Sequence, residues 1–279
     1  QAPGKAVLLG EYAVLEGAAA LSMAVDRYAR VVIEPCSSGE CRISADSLGV
    51  APLAFTQRPD GALQLDGDSP SWAALERTAV LLASLHAQAL RRFGHSAPYR
   101  VDINTDDLYM NGKSGERAKL GLGSSSAVAV ALDAGLRSYF GGRDVSGLSL
   151  RALKRLLEPY RSGQAGNASG IDLASSLCGG VIRYRIADGA REAEVSSRTL
   201  PEGLMLLFVW TGKPASTPRM VEHYRAWRRD HPRHSLRLVE AMIAACDKAQ
   251  RAIECSDADA LVEQIACYGE LMGTIGDQM

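Results

Sequence analysis

Hydrophobic and polar residues alternate with two different periods along the 279-residue chain, which predicts strands and helices in mixed order. Runs that are apolar, or that alternate with a period of two, predict strands at residues 6–9, 21–33, 41–43, 63–65, 99–103, 181–186 and 204–210. The last of these runs is apolar throughout, so we expect it to lie at the centre of a sheet.

Apolar residues spaced three and four positions apart predict the helices. Such stripes lie at residues 72–93, 125–140, 148–160, 235–254 and 257–273. Capping residues support the first of them, because Ser69 and Pro70 precede it and Gly94 follows it. The polar stretch of residues 104–119 is predicted to be a long loop that leads into a turn rich in glycine and serine.

Composition and charge exclude several classes of protein. The chain has 31 Lys and Arg against 32 Asp and Glu, so its charge gives no argument for nucleic acid or an anionic membrane as a partner. A composition of 47% hydrophobic and 23% charged residues is typical of a globular protein. No apolar run is long enough for a membrane helix and no secretory leader opens the chain, which favours a cytoplasmic protein. The six cysteines are scattered, without metal-ligand spacing.

The clearest chemical signal is the glycine- and serine-rich stretch of residues 121–126. Gly121 and Gly123 allow the backbone to approach a ligand, three serines follow, and the apolar residues after them predict a buried helix. The first amides of a helix have no partner within it and carry the positive end of its dipole, so they suit a phosphate. No Walker loop and no dinucleotide fingerprint can be written over these residues. A tight turn into a core helix explains them equally well without a ligand.

Two charged residues stand at positions that suit phosphoryl chemistry. Asp172 lies near the start of the helix predicted after the glycine-rich turn of residues 163–170, although an acid there also interacts favourably with the helix dipole. Lys5 comes directly before the first buried strand, where a solvated lysine is the more common explanation. The residues alone leave both explanations open.

A third helix start follows the predicted strand at residues 204–210. Ser216 or Thr217 caps this helix, and Pro218 takes its first position. Capping explains these residues but does not explain Lys213, which adds a cation beside a second set of free amides.

Three separated segments together resemble one family. They are Pro3-Gly4-Lys5 with Gly10-Glu11-Tyr12-Ala13-Val14, then Gly121-Leu122-Gly123-Ser124-Ser125, and finally Ser169-Gly170-Ile171-Asp172. Their order and spacing resemble those of the GHMP small-molecule kinases. Within that group, Tyr12, Gln164 and the segment of residues 210–217 are most similar to the phosphomevalonate kinases.

The resemblance implies an α+β fold with the two domains of a GHMP kinase. Residues 1–190 would form an ATP-binding domain similar to ribosomal protein S5 domain 2, and residues 191–279 an incomplete ferredoxin-like domain. It also implies a kinase that uses ATP and Mg²⁺ to phosphorylate 5-phosphomevalonate. Mevalonate or another small alcohol as acceptor, and a non-catalytic metabolite-binding relative, are the alternatives. ATP and a phosphorylated small molecule would be the partners of a monomer or homodimer.

The resemblance further assigns roles to individual residues. Asp172 matches the family aspartate that orients or deprotonates the attacking oxygen, and Lys5 matches the lysine that neutralises charge beside it. Ser125 matches the serine that holds Mg²⁺. The phosphates of the nucleotide are expected to bind Gly121, Leu122, Gly123, Ser124, Ser125 and Ser126. The acceptor is expected to bind Glu11, Tyr12, Asn167, Ser169, Gly170, Lys213, Ser216 and Thr217.

Two features depart from the family pattern. Arg161 stands where mevalonate kinase-like members carry a magnesium-binding glutamate, which removes that carboxylate from the expected metal site and fits the phosphomevalonate kinases. The third glycine-rich motif of the family is not found in the residues up to Met279, so the C-terminal domain is expected to be incomplete.

Overall fold

The computed structural model describes residues 1–37, 39–57, 63–65, 72–94, 97–111, 117–141, 150–163, 168–186, 193–212 and 217–279. These residues form ten strands and seven helices in mixed order. The strands are β1 (Ala2–Leu9), β2 (Ala20–Pro35), β3 (Cys41–Ala45), β4 (Val50–Gln57), β5 (Leu63–Leu65), β6 (Tyr99–Asn104), β7 (Tyr109–Asn111), β8 (Arg117–Lys119), β9 (Val181–Ile186) and β10 (Ala193–Arg198). The helices are α1 (Trp72–Phe93), α2 (Ser124–Tyr139), α3 (Leu150–Gly163), α4 (Ile171–Cys178), α5 (Thr217–Asp230), α6 (Pro232–Glu254) and α7 (Ala258–Gly276).

Most of the predicted elements are present close to their predicted bounds. Each of the five apolar stripes corresponds to a helix, namely α1, α2, α3, α6 and α7. Strands β4 and β10 were not predicted, because Pro52 interrupts one sequence and the other is mostly polar. The predicted loop of residues 104–119 contains the short hairpin of β7 and β8.

The apolar run at residues 204–210 is the prediction that proves wrong. It is not a strand, and Met205, Leu207 and Val209 are 93%, 84% and 76% exposed. A strand needs hydrogen bonds to a neighbouring strand. None of the strands in the described part of the chain pairs with this run, so its apolar sequence alone does not produce one.

Backbone contacts divide the chain into two compact units. The first unit comprises residues 1–4 and 25–168, and the second comprises residues 5–24 and 169–279. Strand β2 begins in the second unit and ends in the first. The predicted domain boundary after residue 190 lies outside the described residues and stays a prediction.

The first unit combines a mixed sheet with three helices. The sheet has the order β2–β6–β3–β4–β5, in which β3 and β6 are parallel and the other neighbours are antiparallel. Helix α1 packs against α2 and α3. Leu82, Leu132 and Leu156 are fully buried, one on each helix. An ion pair between Arg155 and Asp133, 2.6 Å long, joins α3 to α2.

The second unit has a smaller antiparallel sheet and four helices. Its strands are ordered β10–β9–β2, and helix α4 packs on β9. Helices α5, α6 and α7 pack around a core that includes Leu9 and Leu21 from the start of the chain. Among the described residues, no helix has the length and apolar character needed to cross a membrane.

Candidate active site

Helix α2 begins at a turn of left-handed glycines. Gly121 and Gly123 have φ angles of 79° and 72°, and Gly123 is the N-cap of α2 without a side-chain cap. The first helical hydrogen bond runs from the Ala127 amide to the Gly123 carbonyl, at 3.1 Å. The amides of Ser124 and Ser125 therefore precede the first helical hydrogen bond and lie at the positive end of the helix dipole. This geometry suits an anion.

The three serines of this turn differ in what their hydroxyl groups do. Ser125 is exposed, and its Oγ lies 3.1 Å from the phenol oxygen of Tyr160 on α3. Ser126 is fully buried and donates its hydroxyl to the Gly123 carbonyl at 2.8 Å. Ser125 is thus better placed to meet an external ligand, whereas the hydroxyl of Ser126 stabilises the turn.

Gly4 packs directly against this turn. A Cβ atom at Gly4 would lie 2.5 Å from the carbonyl oxygen of Leu122 and 2.8 Å from a methyl group of Leu108. Only glycine allows this approach, because a Cβ at 2.5 Å from a backbone oxygen would force the turn to move. Gly4 is therefore a supporting residue that the predicted set did not include. The Pro3-Gly4-Lys5 motif is the signal that could have revealed it.

The end of helix α3 supplies two further contacts within the first unit. Tyr160 is buried and reaches Ser125, as described above. Its neighbour Arg161 donates from Nε to the carbonyl oxygen of Ala168 at 3.1 Å, at the end of the glycine-rich segment. Arg161 therefore has a structural contact at the position where the family pattern has a carboxylate.

The described residues fit Mg²⁺ only in part. They contain no cluster of three or more Asp, Glu, His or Cys side chains that could hold a metal ion. The exposed Ser125 hydroxyl provides one oxygen of the kind that Mg²⁺ binds. Mg²⁺ commonly takes one or two protein ligands and completes its shell with phosphate oxygens and water, so a single serine is compatible with a nucleotide-bound metal.

Helix α4 begins in a similar way to α2 but carries an acid. Its N-cap Gly170 has a φ of 92° and no side-chain cap. Oδ1 of Asp172 accepts a hydrogen bond from the amide of Leu173 at 2.9 Å, which fixes one face of the half-buried carboxylate. Tyr184 donates its hydroxyl to the Ser169 carbonyl at 2.6 Å and so anchors the turn before the helix.

Lys5 lies half-buried in β1, in the same unit as Asp172. The next residue along the strand, Ala6, accepts a hydrogen bond from the hydroxyl of Ser22 at 3.0 Å. Ser175 of helix α4 in turn donates to the hydroxyl oxygen of Ser22 at 2.7 Å. Hydrogen bonds thus connect the strand of Lys5 with the helix of Asp172.

The turn that follows β1 holds the predicted acceptor residues Glu11 and Tyr12. Tyr12 is not glycine, yet its φ is 63°. Its ring is 7% exposed and stacks on Tyr224 of α5 with centroids 4.6 Å apart. Tyr268 of α7 donates its hydroxyl to the Glu11 carbonyl at 2.5 Å. The backbone of this turn is therefore held from two helices, while acceptor binding by Glu11 and Tyr12 stays a prediction.

Helix α5 is attached to the same turn by charged and aromatic side chains. Glu16 forms an ion pair with Arg228 and accepts a hydrogen bond from the Tyr224 hydroxyl at 3.2 Å. The hydrogen bond that Arg228 donates to the Glu16 carboxylate raises the pKa of Arg228, and burial raises the pKa of Tyr224. Arg228 therefore stays charged and Tyr224 stays neutral across the physiological range.

Part of the predicted acceptor set cannot be placed. Asn167, Lys213 and Ser216 lie outside the described residues. Thr217 begins helix α5, but its side chain also lies outside the described part of the structure. Their roles stay predictions.

The predicted residues that can be placed fall into two groups. Residues 121–126, expected to bind the nucleotide, lie in the first unit together with Tyr160 and Gly4. The second unit contains Lys5, Glu11, Tyr12, Ser169, Gly170 and Asp172. The supporting residues Ser22, Ser175, Tyr184 and Tyr268 were not predicted. No local pattern marks them, because each contacts a residue far away in the sequence.

A comparison of the sequence with known protein families identifies the class of protein to which this fold and these glycine-marked helix starts belong. Residues 83–180 match the profile described as the GHMP kinases N terminal domain. The chain therefore carries the N-terminal domain of the GHMP kinases, a class of small-molecule phosphotransferases. The predictions of this family, of the α+β GHMP kinase fold and of a phosphotransferase are confirmed.

Individual proteins similar to this chain include phosphomevalonate kinases and mevalonate kinases. The chain is 29% identical to a phosphomevalonate kinase from Streptomyces sp. (strain CL190), over 100% of this chain and 78% of that protein. It is 26% identical to mevalonate kinase from Bos taurus, over 81% of this chain but only 61% of the relative's length. The structure of Streptococcus pneumoniae phosphomevalonate kinase in complex with phosphomevalonate and AMPPNP has a TM-score of 0.69 and 19% identity, covering 98% of this chain and 79% of that one.

Proposed function

We propose that this chain transfers the γ-phosphoryl group of ATP to 5-phosphomevalonate, giving 5-diphosphomevalonate and ADP. Its relatives place it more coarsely among the GHMP kinases of the mevalonate pathway, which include both phosphomevalonate kinases and mevalonate kinases. The choice of a phosphorylated acceptor is the finer part of the proposal and needs its own support.

The kinase part of the proposal is carried by the start of helix α2. Two left-handed glycines and the lack of a side-chain cap leave the amides of Ser124 and Ser125 available to a phosphate, and the exposed Ser125 hydroxyl lies beside them. Amides that are fixed in place can stabilise charge on phosphate oxygens without reorganising during the reaction. When bound, Mg²⁺ would neutralise charge on those oxygens, with Ser125 as its protein ligand.

Two observations support a phosphorylated acceptor. The 29% identity to the Streptomyces phosphomevalonate kinase extends over the whole of this chain, while mevalonate kinases match up to 97% of it at 24% to 28% identity. Arg161 contacts a backbone carbonyl at the position of the glutamate found in mevalonate kinase-like members. Lys213, with the amides near Ser216 and Thr217, is proposed to bind the phosphate already present on the acceptor.

Asp172 and Lys5 are proposed to act on the acceptor oxygen. A phosphate acceptor is already ionised at neutral pH, so it needs little help from a base. Asp172 would then orient the acceptor and Lys5, while the lysine neutralises charge near the transferred group. The attacking oxygen forms a bond to the γ-phosphorus as the bond to the bridging oxygen of ADP breaks.

A panel of acceptors tests this proposal. ADP release is followed by a coupled assay with ATP, Mg²⁺ and either 5-phosphomevalonate, mevalonate or another small alcohol. We expect turnover on 5-phosphomevalonate to exceed that on mevalonate by at least about 100-fold in kcat/KM, because a site built for a phosphate is left unpaired by an acceptor without one. Equal turnover on mevalonate would reject the narrower assignment. Nucleotide binding without turnover on any acceptor would favour a non-catalytic relative.

A further inference from the structure

A pair of buried serines links the two charged residues proposed to act on the acceptor. Ser22 of β2 and Ser175 of α4 are both fully buried, although they lie 153 residues apart in the sequence. Ser175 donates to Ser22 at 2.7 Å, and Ser22 donates to the carbonyl oxygen of Ala6 at 3.0 Å. The carbonyl oxygen of Ile171 also lies 2.7 Å from the Ser175 hydroxyl and is a second acceptor for it.

The ends of this chain of hydrogen bonds lie next to the proposed reactive residues. Ala6 directly follows Lys5 in β1. Ser175 lies three residues after Asp172, which places the two on neighbouring positions of the helix surface. A shift of α4 along β1 would therefore stretch these hydrogen bonds and would displace Asp172 relative to Lys5.

The surroundings of the pair show that burial alone does not explain it. The chain around both serines is buried, since Ala20 and Leu21 before Ser22 and Leu173 and Ala174 before Ser175 are 0% or 1% exposed. An alanine or valine would be buried there without the cost of removing a hydroxyl from water. Each hydroxyl also has a backbone acceptor, and the bond between the two adds direction because it forms only when strand and helix hold one relative position.

Helix α4 depends on such outside contacts more than a longer helix would. It has only eight residues, and its N-cap glycine provides no side-chain cap. Isolated helices of this length are unstable in water, so tertiary contacts set where it lies. The contacts to its start that carry direction are those of Ser175 with Ser22 and of Tyr184 with the Ser169 carbonyl.

We propose that Ser22 and Ser175 are positioning residues that hold Asp172 and Lys5 in the relation required for phosphoryl transfer. This inference rests on the proposed function, in which both charged residues act on the acceptor oxygen. Misplacement of a reacting group by about 1 Å can cost on the order of 100-fold in rate, so a buried contact can control kcat without touching substrate.

A pair of substitutions at one position isolates the hydroxyl. Ser22→Thr and Ser22→Val add nearly the same volume, but only threonine keeps the hydroxyl. We expect Ser22→Val to lower kcat about tenfold, with KM for ATP and for the acceptor unchanged within about twofold, and Ser22→Thr to stay within about threefold of the parent protein. Equal kcat values for the two variants would overturn the proposal, even if both are less stable than the parent.

The partner residue provides a second measurement. Ser175→Ala should lower kcat to a similar extent, and the double variant Ser22→Ala with Ser175→Ala should lose no more than the larger single effect, because the two hydroxyls act as one unit. Additive losses would contradict this.

A buried serine elsewhere serves as the matched control. Ser47 in the first unit is 5% exposed and lies 3.1 Å from the Thr105 hydroxyl, so Ser47→Ala also removes a buried hydroxyl pair. It should lower the melting temperature to a similar extent and leave kcat unchanged within about twofold. A loss of kcat as large as that of Ser175→Ala would mean that general destabilisation explains both.

A measurement without substrate separates this inference from the proposed function. Amide hydrogen exchange in α4 should become about fivefold faster in Ser22→Val and Ser175→Ala, but not in Ser22→Thr or Ser47→Ala. If the parent protein phosphorylates no acceptor but this pattern appears, the proposed function fails and the positioning of α4 stands. Identical exchange in all variants would reject the positioning itself.

Discussion

Helices α2 and α4 start with the same backbone conformation but differ in the side chains of their first turns. The comparison shows that these side chains decide whether a helix start suits an anionic ligand or presents a carboxylate. Each begins after a left-handed glycine, Gly123 or Gly170, that provides no side-chain cap. In α2 the first turn consists of serines, so its amides and the Ser125 hydroxyl can face a phosphate. In α4 the first turn carries Asp172, whose Oδ1 already accepts the Leu173 amide. One helix start thus suits an anionic ligand, while the other presents a carboxylate of its own.

The two helices also differ in what holds them. Helix α2 has 16 residues, packs against α1 and α3, and is joined to α3 by the ion pair of Asp133 with Arg155. Helix α4 has eight residues and depends on hydroxyl groups at Ser22 and Tyr184. Broad apolar packing therefore sets the position of the first helix, whereas the second combines a short buried face of Ile171, Leu173 and Ala174 with a few directional bonds. Small changes near α4 should affect chemistry before they affect stability.

Of the substitutions in the two helix starts, we expect that of Asp172 to have the largest effect on kcat. Asp172→Asn keeps an oxygen that can accept the Leu173 amide, so helix α4 should still form. Because Asp172 is proposed to orient the acceptor and Lys5 and not to accept a proton, removal of its charge should lower kcat by about 100-fold, the cost of misplacing a reacting group by about 1 Å. Binding of ATP, measured by titration calorimetry, should change by less than about twofold. A matching loss of ATP affinity would mean that Asp172 belongs to the nucleotide site.

Substitution of Ser125 should have the opposite effect, because it should weaken nucleotide binding more than it lowers kcat. Ser125→Ala removes the exposed hydroxyl of the α2 start and should weaken binding of Mg²⁺-ATP by about tenfold to 30-fold, while binding of metal-free ATP falls less, because Mg²⁺ loses its proposed protein ligand. Titration calorimetry with and without Mg²⁺ measures both values. Tyr160→Phe is the control for the lost hydrogen bond between these two residues, since it keeps the ring and removes only the hydroxyl that lies 3.1 Å from Ser125. An equal effect of Tyr160→Phe would assign the role to the pair.

Local patterns in the sequence were sufficient to predict where helices α2 and α4 begin. They did not predict the distant side chains that hold these helix starts in place. Glycines followed by serines, and a glycine followed by Ile171 and Asp172, predict where α2 and α4 begin, because capping and backbone conformation depend on neighbouring residues. Ser22, Ser175 and Tyr268 contact groups 16 to 257 positions away, and no local pattern marks such contacts. The exposed run at residues 204–210 was misjudged for the same reason, since hydrophobicity does not reveal whether a partner strand is present.

Tyr12 illustrates the limit of assigning a role by family position. The resemblance places it among the acceptor residues, and its sequence context gives no sign of its surroundings. In the structure its ring stacks on Tyr224, and burial raises the pKa of its hydroxyl. The residue therefore contributes to the core of the second unit in addition to any contact with the acceptor.

Replacement of the N-cap glycines tests whether the shared backbone conformation matters equally at both starts. Gly123→Ala and Gly170→Ala each force a side chain into the left-handed region, which should lower the free energy of unfolding by about 1 kcal/mol. Gly203→Ala is the control, because Gly203 has a φ of 82° and open space around its Cβ position. Urea unfolding compares the three. Gly123→Ala should also weaken ATP binding, Gly170→Ala should lower kcat, and Gly203→Ala should do neither. If Gly123→Ala lowered kcat without weakening ATP binding, the start of α2 would not be the nucleotide site, and the assignment of nucleotide binding to α2 and of chemistry to α4 would be rejected.

The smallest expected effect concerns acid stability, which should differ between the two units. His86 on α1 is 4% exposed, its Nδ1 lies 2.5 Å from the Tyr99 hydroxyl, and burial lowers its pKa below the ordinary value of 6.5. The unfolded chain then binds the proton more readily than the folded one below pH 6.5, so the stability that neutral His86 contributes is present above that pH and is lost as the pH falls. Among the described residues of the second unit, no histidine is buried.

His86→Gln isolates this contribution, since glutamine can hydrogen-bond to Tyr99 but does not titrate. Between pH 7.5 and pH 5, the parent should lose stability relative to the variant with a slope of no more than about 1.4 kcal/mol per pH unit, because a single proton is involved. Hydrogen exchange at β6 in the first unit and at α6 in the second, measured across this range, reports the two units separately. The acid-dependent difference between parent and variant should appear at β6 and be absent at α6. The same difference at both places would mean that the units do not respond to pH independently.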